Sequence, residues 1–213
     1  MDGFFNQEGK DIVEGMIRVI QENKAYLSDI DGLIGDGDHG INMNKGFTMC
    51  QERIAGVNMG LSEALKTLGR VLMMEIGGSM GPLYGTVFTE MARVIKKAEV
   101  IEKEAFGEML AAALHGLHDL GGAKVGDKTL MDVMIPAEEA YRKALAEGKD
   151  FKECLTAMKA AAEAGWLSTK DLVAKIGRAS RLGERSRGVL DAGATSCNLL
   201  LNAMADGITS HLN

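Results

Sequence analysis

Residues 29–42 read DIDGLIGDGDHGIN, an acidic and glycine-rich stretch between two segments of helical periodicity. Before it, residues 10–26 place Ile12 and Met16 one helical turn apart, with charged residues between the apolar ones. After it, residues 42–55 predict a second helix. The chain therefore opens as a helix, a glycine-rich junction and another helix.

The same alternation continues to the C-terminus. Further helices are predicted over 61–76, 82–98, 104–119, 129–146, 150–165 and 192–208, with a short helix over 169–176. Convincing strand alternation is absent, and no Pro- or Ser-rich linker divides the chain. We therefore predict an all-α fold, an antiparallel up-and-down barrel or bundle of about eight helices, formed by a single domain over residues 1–213.

The composition excludes several classes of protein. Hydrophobic residues are 46% and charged residues 25% of the chain, values typical of a globular protein and not of a disordered one. A net charge of -6 argues against nucleic-acid binding through a broad basic face. No apolar run approaches the ~20 residues of a membrane span, and the N-terminus does not resemble a signal peptide. We expect a cytoplasmic protein with no membrane and no nucleic-acid partner.

Glycine is the compositional anomaly, with 27 residues against 2 prolines. Sixteen glycines lie in four groups, each at a predicted junction between helices: Gly32, Gly35, Gly37, Gly40 and Gly46; Gly77, Gly78, Gly81 and Gly85; Gly121, Gly122 and Gly126; Gly177, Gly183, Gly188 and Gly193. Alternate junctions of an up-and-down bundle lie at the same end. Several groups should therefore be close in space.

Three aspartates, Asp31, Asp36 and Asp38, lie within eight residues of one another, and Gly35 and Gly37 flank the second. Glycine permits tight backbone turns, so these carboxylates can converge. Converging carboxylates without cysteine favour a hard cation, Mg²⁺ or Ca²⁺. The spacing does not fit an EF-hand, and Mg²⁺ would be completed by nucleotide phosphates. A solvated acidic turn is the alternative.

The second and third glycine groups, in residues 77–86 and 121–129, each precede a predicted helix. Free backbone N–H groups at a helix N-terminus favour anions, although an ordinary turn between helices has the same residues. There is no Walker A pattern, so a nucleotide site here would not be a P-loop. The fourth group adds four arginines, Arg178, Arg181, Arg185 and Arg187, which indicate either a solvated loop or a mobile lid that pairs with phosphates or a partner.

Four motifs occur in order along the chain: LIGDGDHGINM at 33–43, GPLYG at 81–85, GDKT at 126–129 and GRASRLGERS at 177–186. Together they resemble the nucleotide-binding L subunits of bacterial dihydroxyacetone kinases. The resemblance spans about residues 5–210. It implies an eight-helix antiparallel barrel with a nucleotide site in loops at one end.

The resemblance also implies the ligands of the site. Asp31, Asp36 and Asp38 would hold two Mg²⁺ ions, and Arg178 would be the catalytic residue that neutralises phosphate charge. The residues that would surround ADP or ATP are His39, Gly40, Ile41, Asn42, Ser79, Met80, Gly81, Gly122, Leu130, Arg178, Asp191, Ala192 and Gly193.

Two positions depart from the family pattern. Met80 stands where serine is usual, and Ala192 where proline is usual. A backbone N–H contact at Met80 would survive, whereas a hydroxyl contact would have to come from Ser79. Alanine at 192 loosens the loop slightly and removes no polar ligand.

Two kinds of kinase share this domain: one fused to a substrate domain, and one that is a separate subunit rephosphorylated by the sugar phosphotransferase system. A chain of 213 residues fits the second kind. The expected function is an ADP/ATP-Mg²⁺ subunit of a phosphoenolpyruvate-dependent dihydroxyacetone kinase, with the ketose on a K subunit and phosphoryl groups from a phosphohistidine M subunit.

The alternatives are a similar subunit for an erythrulose-like ketose or a fatty acid, and a non-enzymatic binding module. The oligomeric state stays open, a homodimer included.

Overall fold

Apolar residues at helical spacing form nine α-helices within residues 3–212, the part of the chain that the computed structural model describes. The helices are α1 Lys10–Glu22, α2 Lys24–Ile34, α3 His39–Ile54, α4 Leu61–Glu75, α5 Met80–Val94, α6 Lys103–Leu120, α7 Met131–Ala146, α8 Phe151–Ser168 and α9 Ala192–His211. The 3-10 segments are Asn6–Glu8, Thr169–Asp171 and Arg178–Ser186.

The first predicted helix is divided into α1 and α2 at Asn23. The Asn23 side chain donates a hydrogen bond to the Val19 carbonyl at 2.8 Å, and its backbone has φ -100° and ψ 9°, which departs from helical values. Helical backbone hydrogen bonds reach Asn23 from both sides, from its N–H to the Val19 carbonyl and from the Leu27 N–H to its own carbonyl. The two helices therefore form one bent rod, and the fold has the eight rods that the sequence predicts.

The rods close into a ring. Helix α1 packs against both α3 and α9, and from α3 to α9 each helix packs most extensively against the helices next to it along the chain. Most of the buried apolar side chains form one continuous hydrophobic cluster, to which Met16, Phe47, Leu68, Met134 and Met204 all belong. This arrangement confirms the predicted all-α, up-and-down barrel.

Two elements differ from the prediction. Strand β1 (Gly3–Phe5) pairs antiparallel with β2 (Val100–Glu102), with Phe4 opposite Ile101, although the sequence predicts no strand. Three residues per strand are too few for an alternating pattern to be visible. The short helix predicted over 169–176 is also wrong, because only the 3-10 turn Thr169–Asp171 forms there.

Alternation of direction places four junctions at one end of the barrel. They are residues 35–38, 76–79, 121–130 and 169–191, and they contain most of the glycine groups. The predicted convergence of these groups is therefore confirmed. Across residues 3–212, no helix has both the length and the apolar character that a bilayer span requires.

Substitution of two glycines by alanine tests how tightly the rods pack. A Cβ at Gly165 would lie 2.0 Å from the Asp132 carbonyl oxygen, whereas a Cβ at Gly15 would meet nothing within 4 Å. We expect Gly165→Ala to lower the free energy of unfolding by about 1–3 kcal/mol through overpacking. Gly15→Ala should raise it by roughly 0.5–1 kcal/mol, because alanine is the better helix former. Urea unfolding measures both, and equal effects would contradict this account of the α7–α8 contact.

Candidate functional site

A cavity of about 520 Å³ opens at the end of the barrel where the four junctions meet. The turn after α2, the glycine-rich segments before α5 and α7, and the long connection before α9 all line it. One side is acidic, at Asp31, Asp36 and Asp38, and another is apolar, at Leu117 and Leu120. The cavity therefore suits a ligand that is charged at one end and apolar at the other.

The three aspartates converge as the sequence predicts. One carboxylate oxygen from each lies within 4.8 Å of the others. Asp31 is on the last turn of α2, while Asp36 and Asp38 are in the turn that follows. Gly35 permits this approach, because a Cβ there would lie 2.3 Å from an Asp31 carboxylate oxygen. Oxygen donors at this separation fit a hard divalent cation such as Mg²⁺.

Positive charge surrounds the acidic cluster. The Asp31 carboxylate accepts a hydrogen bond from the His39 backbone N–H at 3.2 Å, at the start of α3. The Arg178 guanidinium, on the long connection before α9, forms an ion pair with Asp36. The catalytic residue expected from the sequence thus reaches the predicted metal ligands.

Four helices begin at the cavity: α3, α5, α7 and α9. The Asp38 and Ser79 side chains do not cap α3 and α5, so the first backbone N–H groups of these helices are available to an anion, apart from the His39 N–H that donates to Asp31. The positive ends of these helix dipoles favour negative charge in the cavity. Phosphate groups beside the acidic cluster would meet both the helix ends and any cation bound there.

A hydrogen-bonded chain joins three of these helices. His39 Nε2 lies 2.9 Å from the Ser196 hydroxyl, which is 2.6 Å from the Tyr84 hydroxyl. Tyr84 also donates to the Gly193 carbonyl at 3.2 Å. Burial lowers the pKa of His39 to about 4, although Asp31 acts in the opposite direction. His39 is therefore neutral at pH 7 and ties α3 to α5 and α9.

Asp191 has a structural role at the start of α9. Its carboxylate accepts a hydrogen bond from the Ala194 backbone N–H at 2.7 Å and so caps α9. Desolvation raises the pKa of Asp191 to about 6, against the opposing effects of the Ala194 hydrogen bond and of Lys128. Ala192 and Gly193 follow at the helix start and line the cavity.

Most of the residues predicted from the resemblance line this one cavity. They are Asp31, Asp36, Asp38, His39, Asn42, Ser79, Met80, Gly122, Leu130, Arg178, Asp191, Ala192 and Gly193. Ser79 is exposed and Met80 is 8% exposed, so the serine hydroxyl is the more available of the two.

Gly40, Ile41 and Gly81 are not among the lining residues. A Cβ at Gly40 would lie 2.0 Å from the Lys24 carbonyl oxygen, and one at Gly81 would lie 2.2 Å from that of Ile76. Both glycines let backbone segments touch. Ile41 is 54% exposed, and its contact with a nucleotide stays a prediction.

Several cavity residues were not predicted individually. Leu117 and Leu120 lie on or just beyond the predicted helix 104–119, and nothing in their spacing distinguishes them from core residues. Tyr84 and Lys128 occur inside the quoted motifs without an assigned role. Their hydrogen bonds depend on residues distant in the chain, so the sequence carries no local signal for them.

The fold and the cavity define a class: an α-helical barrel domain with a ligand-sized, partly acidic cavity at one end. Residues 33–206 match the model of the DAK2 domain, and this chain belongs to the DAK2 domain family.

Two relatives are separate subunits of similar length. The ADP-binding subunit DhaL of the PEP-dependent dihydroxyacetone kinase 1 of Listeria innocua is 41% identical, over 87% of this chain and 88% of that protein. The corresponding subunit of Escherichia coli is 35% identical, over 88% of this chain and 90% of that protein.

The fold also matches a solved kinase. The dihydroxyacetone kinase of C. freundii in its native form has a TM-score of 0.67 and 26% identity, covering 93% of this chain and 34% of that one. A second structure of that kinase, in complex with AMP-PNP and Mg²⁺, has the same TM-score of 0.67 at 24% identity and shares the fold.

Titration of His39 gives a test of its burial. Between about pH 6.5 and 4 the unfolded His39 takes up a proton that the folded one excludes, so stability falls as the pH falls. The full effect is about 3 kcal/mol. Asp191, whose folded pKa is raised, acts in the opposite direction as the pH rises.

The contribution of His39 is isolated by subtracting the free energy of unfolding of His39→Gln from that of the native chain. Urea unfolding of metal-free protein between pH 4.5 and 7.5 should show this difference growing with pH, since glutamine does not titrate. A difference that is constant over this range would contradict the burial argument.

Proposed function

We propose that this chain is the ADP/ATP- and Mg²⁺-binding subunit of a phosphoenolpyruvate-dependent dihydroxyacetone kinase. The observation that carries the proposal is the meeting of three carboxylates within 4.8 Å with Arg178 and four helix N-termini at one cavity. The two relatives named ADP-binding subunits support the choice of nucleotide.

Asp31, Asp36 and Asp38 would hold two Mg²⁺ ions. Carboxylates are the ligands that Mg²⁺ prefers, and this ion usually completes its shell with water and substrate phosphates. When bound, the ions would neutralise phosphate charge. Nearby, the remaining free N–H groups at the N-termini of α3 and α5 would donate backbone hydrogen bonds to phosphate oxygens.

The apolar side of the cavity would take the base. Leu117, Leu120 and Leu130 line it, and Gly121 and Gly122 keep its rim open, since a Cβ at either would meet nothing within 4 Å. The contacts expected from His39 to Asn42, from Ser79 to Gly81 and from Asp191 to Gly193 complete this proposed nucleotide site.

Phosphoryl transfer needs positioning and charge neutralisation more than covalent chemistry. Arg178, 60% exposed at its side chain, can turn from Asp36 to a phosphate without losing buried contacts. It would stabilise the charge of the transferred group. No nucleophile on this chain is required.

The other reactants would come from separate chains. A K subunit would hold dihydroxyacetone, and a phosphohistidine on an M subunit would rephosphorylate the bound ADP. The reaction would take place in the cytoplasm, and the single domain over residues 1–213 would present the phosphoryl group at its open end.

Nucleotide titration tests the proposal. Isothermal calorimetry should show ADP binding that requires Mg²⁺. Asp36→Asn and Asp38→Asn should each weaken it by about tenfold or more, a loss of at least 1.4 kcal/mol, because each removes a charged oxygen ligand.

Asp29→Asn is the matched control, since Asp29 lies in the same stretch but outside the carboxylate cluster. It should bind as the native chain does. Absence of ADP binding by the native chain, or binding that is indifferent to Mg²⁺, would contradict the proposal.

A further inference from the structure

Lys128 has an unusual environment. It is 1% exposed, and among the described residues it is the one non-glycine with a positive φ, of 63°. A lysine rarely adopts this conformation, and a buried ammonium group loses its hydration. Strong interactions at the side chain must offset both costs.

Four backbone carbonyls provide these interactions at the Lys128 ammonium. The Lys128 ammonium donates to Thr169 at 2.7 Å, Leu172 at 3.2 Å, Ser186 at 2.8 Å and Val189 at 2.5 Å. Within residues 3–212 no carboxylate forms an ion pair with it. Its three N–H groups already have acceptors, so this ammonium is not available to bind a phosphate directly.

The four carbonyls belong to the two ends of one segment. Thr169 and Leu172 precede the turn that contains Arg178, and Ser186 and Val189 follow it. The ammonium therefore joins residues 169–172 to residues 186–189, as a covalent cross-link would, and closes the segment 172–189 into a compact loop.

Other hydrogen bonds also join the two ends of this segment. The Ala174 N–H donates to the Ser186 hydroxyl at 2.9 Å, and the Gly188 N–H donates to the Lys170 carbonyl at 2.7 Å. Arg178 lies between these contacts, on the part of the loop that reaches Asp36.

We propose that Lys128 is a positioning residue, whose ammonium clamps the two ends of the segment 172–189 and thereby holds Arg178 over the acidic cluster. The role in nucleotide binding rests on the proposed function, whereas the clamp itself does not. Lys128 would act through Arg178 and would touch no substrate.

The clamp is tested in nucleotide-free protein by hydrogen exchange. Lys128→Met should speed amide exchange in 172–189 by about tenfold or more, because four carbonyls lose their charged donor, while exchange in α1 and α4 stays unchanged. Lys170→Met, which removes an exposed positive charge from the same region, should leave exchange as in the native chain. Unchanged exchange in Lys128→Met would overturn the clamp.

Action through Arg178 is tested by a double-mutant cycle. Lys128→Met should weaken Mg²⁺-dependent ADP binding by about tenfold in the native chain and by much less in an Arg178→Gln background. Equal losses in both backgrounds would show a general structural defect and overturn the positioning role. If the native chain binds no ADP, the proposed function fails, and the exchange experiment still decides the clamp.

A chemical-rescue experiment tests the clamp independently of Lys128→Met. Lys128→Gly accommodates the positive φ and leaves space for n-butylammonium, which matches the missing side chain. Added n-butylammonium should slow exchange in 172–189 towards the native rate, and tetramethylammonium, which has no N–H, should not. Equal effects of the two ions, or no rescue, would overturn the clamp whether or not Lys128→Met folds.

Discussion

Three carboxylates with oxygens within 4.8 Å of one another repel strongly unless positive charge lies beside them. Many of the groups at this end of the barrel supply positive charge that offsets this repulsion. The backbone N–H of His39 donates to Asp31, and Arg178 pairs with Asp36. Four helices turn their positive ends to the same cavity. A bound cation would complete this compensation, which is why the cluster is the central feature of the site.

The barrel makes the compensation geometrically available. Eight rods of alternating direction bring four junctions to one end, so groups distant in sequence meet there. His39, Tyr84 and Ser196 join α3, α5 and α9 by hydrogen bonds, and Lys128 closes the loop that contains Arg178. The polar contacts that shape the site are therefore tertiary, while the hydrophobic core below them holds the rods in register.

The helices, the barrel and the acidic cluster could be predicted from the sequence, because each depends on local periodicity or on a short motif. The break at Asn23, the pairing of Phe4 with Ile101 and the burial of Lys128 could not, since each depends on a hydrogen bond or a contact that the local pattern does not encode. The glycines show what the sequence pattern does not distinguish. Gly122 borders the cavity, whereas Gly40 lets α2 and α3 touch, and the sequence pattern is the same for both uses.

The acidic cluster and the surrounding helix ends are proposed to hold a magnesium nucleotide. Native mass spectrometry of the purified chain, after exchange into volatile buffer, tests it most directly. We expect a species heavier than the chain by one ADP and two Mg²⁺ ions, either retained from the cell or formed on addition of both. A chain that stays free of nucleotide and metal after incubation with excess Mg²⁺ and ADP would contradict it.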